Sequence, residues 1–245
     1  MEKRIYQLLK RAGMVKSSTE AQVLLDQGRV KINGVIVHSL KYKVNTKFQQ
    51  ATVDDKPLQP VEQTVYIILN KPKGSTCQAG EKSYVLHLIT TDDHLKKTLF
   101  VVGRLDWDSE GVLIITNDGK LAHRILSPEK NIPKTYEVLV EGIVTPDEAR
   151  RLASGVIITL ELDGRLTKYR TRPAKCIILR TDEKSLLEVT VTEGKKRQVR
   201  KMCEVLGHKV IRLTRTKIGN LSLESLTPGE FIYVTREEIE RKLFG

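Results

Sequence analysis

The segment VGRLDWDSEGVLIITNDG, residues 102–119, carries the most suggestive carboxylate of the chain, Asp106. One aliphatic run precedes it and another follows, so Asp106 stands where a strand ends. A side chain at such a point is held by a stiff element. A carboxylate held there can attack an electrophilic carbon or take up a proton. Arg104, Asp108 and Glu110 flank it. The residues alone leave a second reading open, a turn with its charges in solvent. Tyr136 lies in KTYEVLV, where polar and apolar residues alternate as on a strand. By itself that pattern describes an ordinary half-buried tyrosine. The segment KKRQVRKM, 195–202, is the third candidate. Wound as a helix, it puts Lys196 and Arg200 on one face and Arg197 and Lys201 on the next. One pair can face a reaction site while the other meets phosphates. A solvated charge run is the plainer explanation.

Other chemistries find little support. His38, His87, His94, His123 and His208 show no ligand spacing, and Cys77, Cys176 and Cys203 are far apart, so no metal site is implied. Ser109 lacks the nucleophile-elbow pattern. No phosphate-binding loop or dinucleotide fingerprint occurs, so no cofactor is expected. Trp107 either stacks on a ligand or covers the loop.

The 245 residues carry a formal charge of +12. That charge is concentrated. Residues 1–46 hold nine Lys/Arg against three Asp/Glu, and residues 195–217 hold nine against one. Two basic segments in an otherwise near-neutral chain are the footprint of a polyanion binder. No apolar run is long enough to span a membrane. The N-terminus does not read as a secretory signal. Unpaired cysteines fit a reducing, cytoplasmic setting.

Two kinds of element position these residues. Ile5, Leu8, Leu9 and Ala12 have helical spacing, and Gly13 stops the run. Ser17-x-x-Glu20 reads as a capping box ahead of Ala21, Leu24 and Leu25, with Gly28 closing the second helix. Asn33-Gly34 inside VKINGVIV predicts a hairpin, because both residues tolerate positive φ. Residues 54–63, DDKPLQPVEQ, read as a linker. Beyond it, strands are expected at 65–69, 98–102, 111–116, 135–140, 155–160, 175–179, 186–191 and 209–213. Helices are expected from Gly119 to Leu126, from a Thr145 cap with Pro146 at its first position, over 197–206, and over 236–243. Strands paired without regular helical crossovers predict an α+β fold with a largely antiparallel mixed sheet. The expected domains are a small helix-helix-hairpin head at 1–60 and a larger body at 64–245.

The head resembles the RNA-binding domain named after small-subunit ribosomal protein S-four. The match lies in the helix pair and in GRVKINGVIV, 28–37. It implies RNA contacts from Arg29 and Lys31. An arginine usual beside the serine that opens the second helix is missing, since Ser17-Ser18-Thr19 stands there.

The body resembles the RsuA-like family of ribosomal RNA pseudouridine synthases. Gly103-Arg104-Leu105-Asp106, then Ser109-Glu110-Gly111 and Thr116-Asn117-Asp118-Gly119, follow the family signature. Asn70-Lys71-Pro72-Lys73-Gly74, Lys134-Thr135-Tyr136 and the block from Glu193 to Arg200 match three further motifs in order. The ending Leu226-Thr227-Pro228-Gly229-Glu230-Phe231 also fits. The resemblance implies that Asp106, Tyr136 and Arg200 are catalytic. Asp106 would act on the ribose, either as nucleophile or by proton removal, Tyr136 would stack on the uracil, and Arg200 would pair with Asp106. It further implies that Arg104, Lys71, Lys196, Arg197 and Gln198 meet RNA, Arg104 at the space left by a flipped nucleotide. The partner is then ribosomal RNA or a ribosome-assembly intermediate. No cofactor, metal or membrane is expected, and a monomer is. The Lys195–Arg200 block is closer to members acting on large-subunit RNA. The same reaction on small-subunit RNA is the alternative, as is a non-catalytic ribosome-assembly factor.

Overall fold

In a computed structural model, residues 2–46, 48–58, 63–162 and 164–245 are described. The chain forms two compact units, one of residues 1–64 with 89–100 and one of residues 65–88 with 101–245.

The first unit begins with a strand β1 (Glu2–Arg4), followed by helices α1 (Ile5–Arg11) and α2 (Ser18–Asp26). The Ser17 hydroxyl accepts the Glu20 N–H, while the Glu20 carboxylate turns back one residue further, to the N–H of Lys16. Short strands follow: β2 (Val30–Ile32), β3 (Val35–Ile36), β4 (Lys43–Asn45), β5 (Ala51–Val53) and β6 (Lys56–Pro57). Asn33 and Gly34 take φ of 50° and 82°, as the hairpin between β2 and β3 requires. Residues 54–57, expected as the start of a linker, instead complete a hairpin of β5 with β6; residues 59–62 of that stretch lie outside the described residues. Asp54 and Asp55 both adopt positive φ there, which short polar side chains tolerate. Ile5, Leu8 and Leu9 from α1 and Ala21 and Leu25 from α2 are buried against Val30, Ile32 and Val53. A further helix, α3 (Asp93–Thr98), belongs to this unit. No expected element covers it, because its one buried apolar side chain, Leu95, gives no repeat to detect.

The second unit is built on one mixed sheet. Its strands are β7 (Tyr66–Lys71), β8 (Phe100–Val102), β9 (Glu110–Thr116), β10 (Lys134–Glu141), β13 (Lys175–Thr181), β14 (Lys184–Val191), β15 (Val210–Ile218), β16 (Leu221–Ser222) and β17 (Phe231–Val234). A separate hairpin pairs β11 (Ile157–Leu162) with β12 (Arg165–Arg170). The sheet order is β13-β14-β10-β15-β9-β7-β17, with β16 beside β15 and β8 beside β9. Along that order every pairing is antiparallel except β15 with β9, which is parallel and only two residue pairs long, Thr214 with Glu110 and Arg215 with Gly111. The sheet therefore consists of two antiparallel halves joined at a short seam.

Helices α4 (Gly119–Leu126), α5 (Pro146–Ala153), α6 (Gln198–Val205) and α7 (Arg236–Phe244) complete the unit. Thr145 and Glu148 form a reciprocal capping box at α5, with Pro146 inside the first turn. Leu152, Met202 and Cys203 from the helices pack on Val138, Val140, Leu187, Val189 and Leu213 of the sheet.

Candidate active site

Asp106 lies in the loop between β8 and β9. Leu105 roots the loop in the core, and the Ser109 N–H closes a turn onto the Asp106 carbonyl at 3.1 Å. Asn70-Lys71-Pro72-Lys73-Gly74 backs the loop. The Gly74 N–H donates to the Trp107 carbonyl at 2.9 Å, and the Lys71 ammonium donates to the carbonyls of Ser109 (2.7 Å) and Pro72 (3.1 Å). Lys71 is fully buried. Burial pushes its ammonium below its ordinary pKa, while the charges around it, those of Glu110, Asp106 and Asp108 included, oppose the shift. Lys71 is thus corrected from an RNA contact to the internal post of the Asp106 loop. Gly111 ends the loop at φ +110°, with the Arg215 backbone so close that a Cβ would overlap it. The seam of the sheet and the Asp106 loop therefore depend on the same glycine.

The expected ion pair of Arg200 with Asp106 is replaced by a network centred on Asp108. Among the described residues, Asp106 meets Arg197 at 3.8 Å. Arg197 holds Asp108 with both Nη atoms, at 3.1 and 3.2 Å. Arg200 is buried, donates to the Asp108 carbonyl at 2.9 Å, and stands 3.3 Å from the Asp108 carboxylate. Burial works against ionisation of Asp108, but the Arg197 hydrogen bond and the charges of Arg200 and Arg197 outweigh it and hold the carboxyl below its ordinary pKa. The helix expected over 197–206 starts at Gln198, because Arg197 takes a left-handed φ of 55°. Lys196 and Arg197 consequently leave the helical faces assigned to them and sit on the rim before it.

A cavity of about 540 Å³ opens beside this network. Asp106 and Arg104 line it from the loop, Lys195–Val199 from the rim of α6, and Lys134, Tyr136, Leu213 and Arg215 from the sheet. Tyr136 is 8% exposed and pairs across the ladder with Arg215 on one side and Val189 on the other. Asp106 and Tyr136, 30 positions apart in sequence, thus share one cavity. Arg104 is exposed and makes none of the ion pairs found among the described residues, with neither Asp108 nor Glu110 as its partner.

The remaining expected RNA contacts divide. Lys196 is exposed, 3.8 Å from Glu161. Gln198 is buried, donating to Glu193 at 2.6 Å and accepting the Lys195 N–H at 3.0 Å. Gln198 thus lines the cavity with its amide engaged by Glu193 and the Lys195 N–H. In the first unit, Arg29 and Lys31 are bound to Asp54 and Asp55, Arg29 at 2.7 Å through Nε and Lys31 at 2.6 Å. The sequence places Lys134, Asp108 and Glu193 in or beside motifs without a role of their own, and it leaves Arg215 out. The available signal for Arg215 is a cation two residues after Leu213, on the inward face of a strand expected over 209–213 that runs on to Ile218.

Residues 65–205 match the family described as RNA pseudouridylate synthase, and residues 3–47 match the S4 domain. An uncharacterized RNA pseudouridine synthase of Aquifex aeolicus is 40% identical, over 98% of this chain and 93% of its own length. The ribosomal large subunit pseudouridine synthase B of Bacillus subtilis is 35% identical over 97% and 94%. The ribosomal small subunit pseudouridine synthase A of Yersinia pestis is 35% identical over 86% of each. A solved pseudouridylate synthase superposes with a TM-score of 0.68 at 32% identity, covering 98% of this chain and 99% of that one. The chain belongs to the RNA pseudouridine synthase family. It is an isomerase, of the members that carry an S4 domain ahead of the catalytic body.

Proposed function

We propose that this enzyme isomerises a uridine of ribosomal RNA, with large-subunit RNA as the target, and that Asp106 is its catalytic carboxylate. The observation that carries the site is the meeting of Asp106 and Tyr136 in one cavity with arginines along its rim. The relatives named for ribosomal RNA support the substrate class. The Lys195–Arg200 block supports the large subunit.

The reaction breaks the bond from uracil N1 to the ribose, turns the base, and joins the ribose to carbon 5. The carbon 5 proton leaves and N1 gains one. Asp106 either takes the anomeric carbon as a covalent ester or removes the neighbouring ribose proton. Arg197 stands 3.8 Å from Asp106, at the edge of the same cavity. Tyr136 stacks on the base, and Arg104, exposed at the mouth, meets the flanking RNA. The head adds RNA affinity through Arg29 and Lys31. We place the enzyme in the cytoplasm as a monomer acting on ribosomal RNA or an assembly intermediate. No helix of the described residues is long and apolar enough to cross a membrane.

The test is release of tritium from carbon 5 of uracil in ribosomal RNA. Wild type should release it and Asp106→Asn should be at least ~100-fold slower, with RNA affinity retained. Release by Asp106→Asn within tenfold of wild type would exclude Asp106. Release only from small-subunit RNA would move the target to that subunit.

A further inference from the structure

Arg215 is 4% exposed, yet it lines the cavity. Its Nε donates to the Val112 carbonyl at 2.8 Å, and its Nη2 is buried without a hydrogen-bond partner among the described residues. Beside it, Lys134 lines the same cavity and donates to the Ile132 carbonyl at 3.1 Å. Burial, then the charge of Arg215, push the Lys134 ammonium below its ordinary pKa. Neither cation makes an ion pair among the described residues, in contrast to Arg197 at the rim and the buried Arg200 behind it. Two neighbouring cations withdrawn from water repel each other and favour an anion between them. Tyr136 and Arg215 are direct cross-strand partners and both line the cavity, so a base stacked on the Tyr136 ring occupies the same cavity as the Arg215 guanidinium.

When the N1–ribose bond breaks, its electron pair leaves with the base. The detached uracil is an anion whose charge is spread onto its two carbonyl oxygens until carbon 5 forms the new bond. We propose that Arg215, assisted by Lys134, binds a carbonyl oxygen of this detached uracil anion. This rests on the placing of Asp106 and Tyr136 at the reaction. Arg215 acts where charge develops, as oxyanion donors do, and holds the base while it turns. The arrangement answers a need Asp106 cannot meet, since a second anion would only repel the leaving base.

The experiment compares the full-length wild type, Arg215→Gln, Arg215→Lys, Lys134→Gln and Asp106→Asn. Single-turnover tritium release from carbon 5 and RNA affinity by filter binding are measured on the ribosomal RNA that wild type modifies. Arg215→Gln should release tritium about 100-fold more slowly with RNA affinity within about twofold of wild type. Arg215→Lys should recover part of that loss by restoring the charge. Lys134→Gln, which leaves the Val112 contact intact, should be about 10-fold slower at unchanged affinity. Release by both glutamine variants within about threefold of wild type overturns the proposal. Weakened RNA binding with an unchanged rate also overturns it, and assigns the cations to an RNA phosphate. If Arg215→Gln does not fold, the rates of Arg215→Lys and Lys134→Gln decide by the same criterion. Release retained by Asp106→Asn defeats the site assignment instead.

Discussion

Arg197 grips Asp108 with both arms of its guanidinium, at 3.1 and 3.2 Å, and reaches to 3.8 Å from Asp106 with one of them. A left-handed backbone at a non-glycine residue costs roughly 1 kcal/mol or more. The grip on Asp108 offsets that cost and fixes the cation over Asp106. Asp108 is thus the residue through which both Arg197 and the buried Arg200 are set.

Asp108→Asn should therefore slow tritium release by about 10-fold with little change in RNA affinity, a positioning effect. It should also lower stability by about 1–2 kcal/mol. A fully buried pair would lose more, but about a third of the Asp108 side chain is exposed (32%). The pH dependence has a definite sign. The folded pKa lies below the ordinary 3.8, so the stabilising contribution is full above that value. It fades as the pH falls through the depressed pKa. Thermal melts of wild type and variant should differ at pH 6 and converge as the pH drops below about 3.8. A constant difference across that range would refute the linkage.

Gly111→Ala should destabilise the fold by about 3 kcal/mol or more, through its φ of +110° and its overlap with the Arg215 backbone. Gly119→Ala at the start of α4 meets nothing within 4 Å and should stay within about 0.5 kcal/mol of wild type. Urea unfolding of the two variants checks the contrast. Equal midpoints would show that the seam yields.

A chain beginning at Thr64 should keep a folded catalytic body and bind RNA more weakly. Residues 89–100 group with the first unit, and the Cβ of Lys97 lies 3.1 Å from where a Cβ on Gly13 would stand. The shortened chain should therefore be cut by protease near α3 while its circular dichroism stays native-like. Loss of the β-sheet signal would show that the body depends on the head.

Lys196→Gln should weaken RNA binding at low salt and lower the slope of log K against log salt by about 0.7–0.9, the signature of one lost phosphate contact. Identical slopes for variant and wild type would leave Lys196 a solvated charge, 3.8 Å from Glu161.

Much of the architecture was legible in the sequence where local chemistry leaves little choice. Asn33-Gly34 marked its hairpin, Thr145-Pro146 its helix start, and the aliphatic runs the central strands. Strand β12 was not legible, because its side chains are mostly exposed and Leu166, at 80% exposure, points to solvent. Its partnership with β11 comes from backbone bonding, which leaves no pattern. At the site, motif order singled out Asp106 and Tyr136, which share one cavity, but could not say which arginine meets which aspartate. Helical spacing from Lys196 onward assumed a helix that Arg197 interrupts. The resemblance put Lys71 at the RNA, and nothing local says that two carbonyls await its ammonium indoors.

The short parallel seam between β9 and β15 also bears on how the enzyme comes into being. It joins residues 104 positions apart, Glu110 and Thr214. Contacts so distant along the chain carry a loop-closure penalty and favour late formation. Each antiparallel half can zip on its own, but Asp106 arrives on one half and Tyr136 on the other. A partly folded or incompletely synthesised chain therefore holds the carboxylate without the pocket. Chemistry switches on only with the final long-range closure, which makes activity itself a readout of complete folding.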